Sequence, residues 1–124
     1  MSKIVDFTKE ASYVNLVPAG SYAAGTQTPA GVDIRDYQGI LAVVVDLKTG
    51  ATGTLDVKVQ DSADNITFAD ISPVVSIATM STVASVQAIA VDTRLARRYI
   101  RAYAVITTGP SLFAVYAVGA KQFI

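Results

Sequence analysis

Short runs of β-branched and aromatic residues recur along this chain, and most of them are bounded by Gly, Pro, Asn or Asp. Val, Ile, Thr and Tyr fit a pleated, half-buried surface, and short strands with frequent turn signals are typical of sandwiches and barrels. Helical patterns are weak, because Glu10 is the only glutamate and no Leu-, Lys- and Ala-rich run has helical spacing. The chain is therefore predicted to be all-β, an antiparallel β-sandwich of about seven to nine strands.

Two segments show the strand pattern most clearly. Residues 54–60 alternate between apolar and polar side chains, which predicts that Leu55, Val57 and Val59 face the core. Residues 40–47 are nearly continuously apolar, which predicts a strand that is covered on both faces.

The C-terminal region contains a strand whose two faces differ sharply. In residues 98–106 one face is made of Ile and Ala and the other of Tyr, Arg and Val. Residues 112–118 again offer two usable apolar faces, and a Gly109-Pro110 turn lies between the two runs. This arrangement predicts an antiparallel hairpin with its Ile/Ala face inward.

The remaining strands are predicted from shorter runs. They are residues 13–17, ended by Pro18; residues 32–37; residues 66–71, ended by Pro73; residues 74–78; and residues 86–91. Residues 19–31 are small and rich in turn residues, which predicts a long loop.

A chain of 124 residues is predicted to form one domain. Residues 1–12 lack a clear period and are predicted to be an extended arm, with the sandwich spanning 13–124. The apolar side chains of the arm, Ile4, Val5 and Phe7, would need a surface to dock on.

The composition favours a protein that makes contacts through apolar surface. Apolar residues make up 52% and charged residues only 16%, against about 25% charged in an average domain. A small domain has few charges to cover much surface, so part of the apolar excess is predicted to lie in an interface. The competing interpretation is a compact Ala-rich monomer with small apolar side chains scattered over its surface.

The chain is poor in groups that carry catalysis. Without His or Cys it can form no Ser-His-Asp triad, no Cys-His pair and no His-ligated zinc site. The Asp-rich turn at residues 61–65 offers oxygen ligands but lacks the spacing and terminal Glu of an EF-hand. We therefore expect no enzyme activity, no cofactor and no metal.

Neither a membrane nor nucleic acid is expected as a partner. The N-terminus lacks a signal peptide's apolar core, and the longest apolar runs, 40–45 and 112–118, are far shorter than the roughly 20 residues of a membrane span. The net charge is zero, so no overall field attracts the chain to nucleic acid.

The charges are nevertheless distributed unevenly. Residues 1–93 carry ten acids and five bases, whereas residues 94–124 carry five bases and no acid. Four arginines lie close together with two tyrosines between or beside them, and we call this set the arginine cluster: Arg94, Arg97, Arg98, Arg101, Tyr99 and Tyr103.

Three interpretations of the arginine cluster remain open from the residues. The arginines pair with Asp residues of their own fold, such as Asp92 or Asp56, or they bind acidic patches on a neighbouring subunit with the bidentate geometry that Lys lacks. A third possibility is phosphate binding, with bases stacking on Tyr99 and Tyr103. The neutral overall charge argues against it, because nucleic-acid domains usually carry a positive excess.

The order of several phrases resembles a known class of proteins. ILAVVVDLKTG is followed by TLDVKVQDSADNITFADI, and ARRYIRAYAVITTG precedes SLFAVYAVGAKQ near the end of the chain. This order resembles the capsid decoration, or cement, proteins of tailed bacteriophages. Within it, V-x-V-Q-D-S-x-D and R-Y-I-R also look like phrases of jelly-roll carbohydrate-binding modules. The resemblance covers about residues 39–121 and rests on strand and turn phrases.

The resemblance implies a jelly-roll-like virion protein on the capsid exterior, made in the host cytoplasm. Such proteins bind the outside of the phage head, typically as trimers, and stabilise it by bridging major capsid subunits. The arm, with Ile4, Val5 and Phe7, and the arginine cluster would then contact the major capsid protein or neighbouring copies. The alternative is a carbohydrate-binding jelly-roll module of a head fibre or tail, although the chain has no Trp.

Overall fold

The computed structural model describes residues 11–50, 53–81 and 84–121 of the chain. These residues contain nine β-strands and no helix. The strands, in chain order, are β1 (Ala11–Tyr22), β2 (Gly25–Gln27), β3 (Val32–Asp33), β4 (Tyr37–Gly50), β5 (Thr54–Ser62), β6 (Ala69–Ser76), β7 (Ser85–Asp92), β8 (Tyr99–Thr107) and β9 (Ser111–Lys121).

The strands form two antiparallel sheets. Sheet A has the order β1-β9-β4-β7, and sheet B has the order β2-β8-β5-β6 with β3 also paired to β8. Consecutive strands therefore cross repeatedly between the sheets, in the connectivity of a jelly roll. The predicted all-β sandwich of jelly-roll type is confirmed.

The core lies between the two sheets and is built by strand alternation. Leu55, Val57 and Val59 of β5 are buried, as their alternation with polar residues predicted. In β8 the Ile/Ala face is inward and fully buried, and the side chains of Tyr99, Arg101 and Tyr103 lie on the outside and are half-buried. Period-2 patterning thus places the tyrosines and the last arginine of the cluster on the outer face of sheet B.

The first strand is longer than predicted. It begins at Ala11 and continues through Pro18 to Tyr22, with register irregularities at Asn15/Val17 and Val17/Gly20. Because β1 is an edge strand, a proline there removes no ladder bond that the sheet needs, and a bulge absorbs the extra residues. The predicted loop at 19–31 therefore contains the end of β1 and all of β2.

The predicted strands at 66–71 and 74–78 are wrong as separate elements. A single strand, β6, runs through Pro73 along the other edge of sheet B. Its pairing with β5 jumps from Asp70 opposite Gln60 to Val75 opposite Val59. The proline lies in this irregularity, where it interrupts the ladder without ending the strand.

The predicted hairpin of residues 98–106 and 112–118 is also wrong. β8 lies in sheet B and β9 in sheet A, so the connection through Gly109 passes from one sheet to the other. A Cβ on Gly109 would lie only 2.6 Å from the backbone nitrogen of Ala24, which shows how closely this connection packs on the segment after β1. A tight turn between two apolar runs does not show whether they pair or belong to facing sheets.

Only one face of β4 is covered, in contrast to the prediction for residues 40–47. Leu41, Val43 and Val45 are fully buried between the sheets. Ala42 and Val44 point the other way and are half-buried, and Ile40 is 54% exposed. The apolar character of the second face is therefore not explained by the core of this chain.

Candidate functional site

Three surfaces contain the residues singled out by the sequence or left uncovered by the fold. They are the arginine cluster at one end of the sandwich, the outer face of sheet B and the outer face of sheet A. Each is described by the contacts of its side chains.

Arg94 lies just after β7 and forms an exposed ion pair with Asp92. Its Nη2 is 3.0 Å from Oδ2 of Asp92, and its Nε donates to Oδ1 at 3.2 Å. The same carboxylate accepts the backbone N–H of Arg94, and the side chain of Arg94 is 83% exposed. These hydrogen bonds lower the pKa of Asp92 and raise that of Arg94.

Arg97 contacts the most buried carboxylate of the cluster. Its Nε and Nη2 donate to Oδ1 of Asp61 at 3.1 and 2.9 Å, and its backbone N–H donates to Oδ2 at 2.9 Å. Nη2 also reaches the backbone carbonyl of Asp61 at 3.0 Å. The Asp61 side chain is only 7% exposed, so this contact joins the β7–β8 connection to the end of β5.

Arg98 pairs with Asp33 of β3. Its Nη2 and Nε donate to the same carboxylate oxygen at 2.8 and 3.1 Å, and its guanidinium carbon lies 5.1 Å from the ring centre of Tyr99. The hydrogen bond from Arg98 is the main cause of the lowered pKa of Asp33. Both partners are partly exposed, so solvent screens the pair.

Three members of the arginine cluster, Arg94, Arg97 and Arg98, border a cavity of about 560 Å³ at this end of the sandwich, lined also by Arg35 and residues of the β3–β4 connection. Arg94, Arg97 and Arg98 each have a carboxylate partner, and Arg35 lies 3.9 Å from Asp36. The cavity is thus lined by matched ion pairs, and its lining carries no excess of positive charge. Such a lining is a poor match for a phosphate group.

The outer face of sheet B carries cations stacked on aromatic rings. Arg101 lies 4.3 Å from the ring centre of Phe68 and donates from Nε and Nη2 to Oε1 of Gln60 at 2.9 and 2.8 Å. Two residues further along β8, the ring centre of Tyr103 lies 4.8 Å from Nζ of Lys58 on the neighbouring strand β5. We call this surface the cation–aromatic face: Lys58, Gln60, Phe68, Asp70, Arg101 and Tyr103.

Asp70 joins the two cations of the cation–aromatic face. It accepts a hydrogen bond from Nε2 of Gln60 at 3.1 Å and lies 3.0 Å from Nζ of Lys58. These two donors, Gln60 first, lower the pKa of Asp70. The face is a connected network of charged, polar and aromatic groups on neighbouring strands.

All four arginines of the cluster therefore have acceptors within the same chain. Asp92, one of the partners suggested by the sequence, is paired with Arg94. Asp56, the other, accepts a hydrogen bond from the hydroxyl of Thr79 instead. The sequence did not indicate Asp61, Asp33 or Gln60 as partners, because they follow from strand register across 36 to 65 residues of chain.

The outer face of sheet A is apolar across all four strands, and the sequence did not single it out as a surface. We call it the apolar face. Its nonpolar members are Tyr13, Ile40, Ala42, Val44, Val86, Ala88, Ala90, Leu112, Ala114, Tyr116, Val118 and Ala120.

Cross-strand register arranges the apolar face in rows. One row consists of Tyr13, Val118, Ala42 and Ala90, which are directly paired from β1 to β7. The next row consists of Asn15, Tyr116, Val44 and Ala88. Among the described residues of this face, charged groups flank the two rows: Asp46, between Ala114 and Val86, lies 3.3 Å from Lys48, and Asp92, opposite Ile40, pairs with Arg94.

The signal for the apolar face was present in the sequence. The runs at 40–47 and 112–118 were apolar at both odd and even positions, although a strand that packs on one side needs only one of the two sets. The second set lies on the outer surface of sheet A.

Within the described ranges, no three or more acidic residues are grouped so that they could hold a metal ion, and no helix could span a membrane. In the Asp-rich turn, Asp61 is bound by Arg97, and Asp64 accepts the backbone N–H groups of Ile66 and Thr67. The Asp61 carboxylate and Oδ1 of Asp64 therefore already accept hydrogen bonds within the protein.

The predicted arm residues Ile4, Val5 and Phe7 lie outside the described residues. No family model and no curated protein matches the chain.

Proposed function

We propose that this chain is a virion structural protein that binds the outer surface of a tailed-phage capsid, forms trimers and stabilises the shell by bridging major capsid subunits. The observation that carries the proposal is the apolar face on a sandwich whose core is already complete. Exposed apolar surfaces of this kind are typical of proteins that function by binding other proteins. The sequence phrases that resemble cement proteins are the reason for proposing a phage capsid as the partner.

The rest of the fold is suited to a binding role. The jelly roll is a stiff scaffold in which β4 and β9 lie at the centre of sheet A, so the apolar face is held by strands paired on both sides. A preformed surface loses little conformational entropy when a partner covers it.

Co-sedimentation with phage capsids tests this function. The protein is expected to sediment with expanded capsids and to be absent from immature ones, because expansion changes the outer surface of the shell. If it binds neither form at micromolar concentrations, the proposal is wrong.

The arginine cluster has a separate test within this proposal. The Arg98 side chain is 43% exposed and Arg101 is half-buried on the outer face of sheet B, so Arg98→Ala and Arg101→Ala are expected to weaken capsid binding more than folding. Equal capsid binding with a lower melting temperature would assign these arginines to the fold alone.

A carbohydrate-binding role is the second candidate, and the cation–aromatic face is the observation that favours it. Tyr103 and Phe68 present rings on one sheet face beside Gln60 and Asp70, and sugars bind where aromatic surface lies next to polar groups. A shift on a glycan array that Tyr103→Ala abolishes, together with no capsid binding, would support this candidate over the first.

A further inference from the structure

We propose that the apolar face of sheet A is the contact between copies of this chain. The inference rests on the self-association included in the proposed function, and it does not depend on capsid binding. It assigns that association to the β1-β9-β4-β7 surface, whereas the sequence had pointed to the arm and the arginine cluster.

The shape of the apolar face is complementary to itself. The β1/β9 half is raised, because its central positions hold Tyr13, Tyr116 and Val118 together with the polar Asn15. The β7 margin is flat, because its central positions hold only Ala88 and Ala90. When two copies face each other with their strands aligned, the raised half of one lies over the flat half of the other, and large side chains meet small ones as in packed sheets.

The charges fit the same partner. The two central rows of the apolar face contain no ionisable side chain except the hydroxyl groups of Tyr13 and Tyr116. Asp46 lies in the row beyond Ala88 and Asp92 in the row beyond Ala90, and each already has a base beside it. A second copy therefore covers the face without burying an unpaired charge, whereas a strongly charged partner would find no complementary group there.

The area is sufficient for a specific contact. Four strands spaced about 4.8 Å apart, and the eight steps of about 3.4 Å between Ile40 and Lys48, give a face of about 500 Å². Two such faces bury about 1,000 Å² in total, the lower limit for a specific interface.

Light scattering of the purified chain and two variants tests the assignment. Val44→Lys places a charge at the centre of the apolar face, on a central strand of sheet A. Ala88→Glu places one on the exposed β7 margin, where the side chain has free space and folding is not at risk. Val105→Lys is the matched control, because Val105 is an outward, half-buried valine on a central strand of sheet B.

At about 100 µM the unmodified chain is expected to have a mass of two or more copies of 13.0 kDa, and three copies would agree with the proposed trimer. Val44→Lys and Ala88→Glu are expected to raise the dissociation constant at least tenfold, and Val105→Lys to leave it unchanged. A monomeric wild type, or an oligomer that both sheet A variants leave intact, would overturn the assignment. Capsid co-sedimentation is measured separately, so a monomer that still binds capsids would reject this interface and retain the proposed function.

Discussion

Burial of the carboxylate partner distinguishes the arginines of the cluster from one another. Asp61 has a side chain that is 7% exposed and receives three hydrogen bonds from Arg97, whereas the Arg94 side chain is 83% exposed. A buried carboxylate that loses its base remains desolvated, whereas an exposed one is hydrated again. Stability is therefore expected to depend on Arg97 much more than on Arg94.

Arg97→Ala is expected to lower the free energy of unfolding by about 2 kcal/mol, less than for a fully buried pair because Arg97 is itself half exposed. Urea denaturation followed by circular dichroism measures the change. Arg94→Ala is the control and is expected to leave the denaturation midpoint within experimental error. If the two variants were equally stable, the burial of Asp61 would have no energetic role.

Asp64 determines how part of the stability depends on pH. Its carboxylate accepts the backbone N–H groups of Thr67 and Ile66 and the hydroxyl of Ser62, and these bonds lower its pKa from 3.8 to about 2. Because the folded pKa lies below the unfolded one, the contribution of Asp64 is fully present above about pH 4 and is lost as the pH falls towards 2. The lowered pKa values of Asp33, Asp70 and Asp92 act in the same direction.

Asp64→Asn retains an oxygen acceptor in the turn but removes the titrating group. The difference in unfolding free energy between wild type and this variant is expected to be constant above pH 5 and to shrink between pH 4 and pH 2, measured by urea titrations at each pH. A difference that does not change over this range would contradict the lowered pKa of Asp64.

At the scale of the strands, a close contact between neighbouring elements restricts Gly53, which precedes β5. A Cβ at this position would lie 1.3 Å from the backbone oxygen of Thr107 at the end of β8. The obstacle is backbone, so no side-chain rotation can relieve it. The start of β5 can approach β8 this closely only with glycine.

Gly53→Ala is expected to destabilise the fold by about 2–3 kcal/mol, because either β5 or β8 must shift. Gly20→Ala in β1 is the matched control, since its Cβ would have no neighbour closer than 3.7 Å. Alanine also loses less backbone entropy than glycine when the strand folds. Thermal denaturation should show a lower midpoint for the first variant and an equal or higher one for the second. Two unchanged midpoints would mean that the β5–β8 contact tolerates a side chain.

The strands also show what could be predicted from the sequence and why. The alternation of Leu55, Val57 and Val59 with polar residues predicted both the strand β5 and its inward face, since side chains alternate in any strand. Sheet membership depends on contacts between distant segments, so the turn at Gly109 did not reveal that β8 and β9 lie in different sheets. From the sequence alone, Pro18 and Pro73 predict strand ends, because their place on sheet edges follows only from the assembled topology.

The candidate surfaces could be predicted in part for the same reason. The outward position of Arg101 and Tyr103 followed from strand period alone. Their partners Gln60, Phe68 and Lys58 come from neighbouring elements, so register had to be known first. The apolar face was visible only as an excess of apolar positions in two runs, and its continuity across four strands required the order of sheet A.

At the scale of the whole molecule, the fold removes the charge asymmetry of the sequence. The basic C-terminal third is folded against acidic residues of the remainder, through Asp33 with Arg98 and Asp61 with Arg97. Strand crossing between the sheets brings these distant segments together. What remains uneven is the distribution of apolar surface, which is concentrated on the outside of sheet A.

Among the described residues, the buried hydrophobic side chains all lie between Leu16 and Ala117. Deleting residues 2–10, just before β1 begins at Ala11, is expected to leave the melting temperature unchanged. It is expected to weaken co-sedimentation with expanded capsids at least tenfold if Ile4, Val5 and Phe7 contact the major capsid protein, as the resemblance to cement proteins implies. A variant with only these three residues replaced by Ser is the control for chain length and should bind as weakly as the deletion. Full capsid binding by both variants would leave the sandwich alone as the capsid-binding part, whereas a large drop in melting temperature would show that these residues belong to the fold.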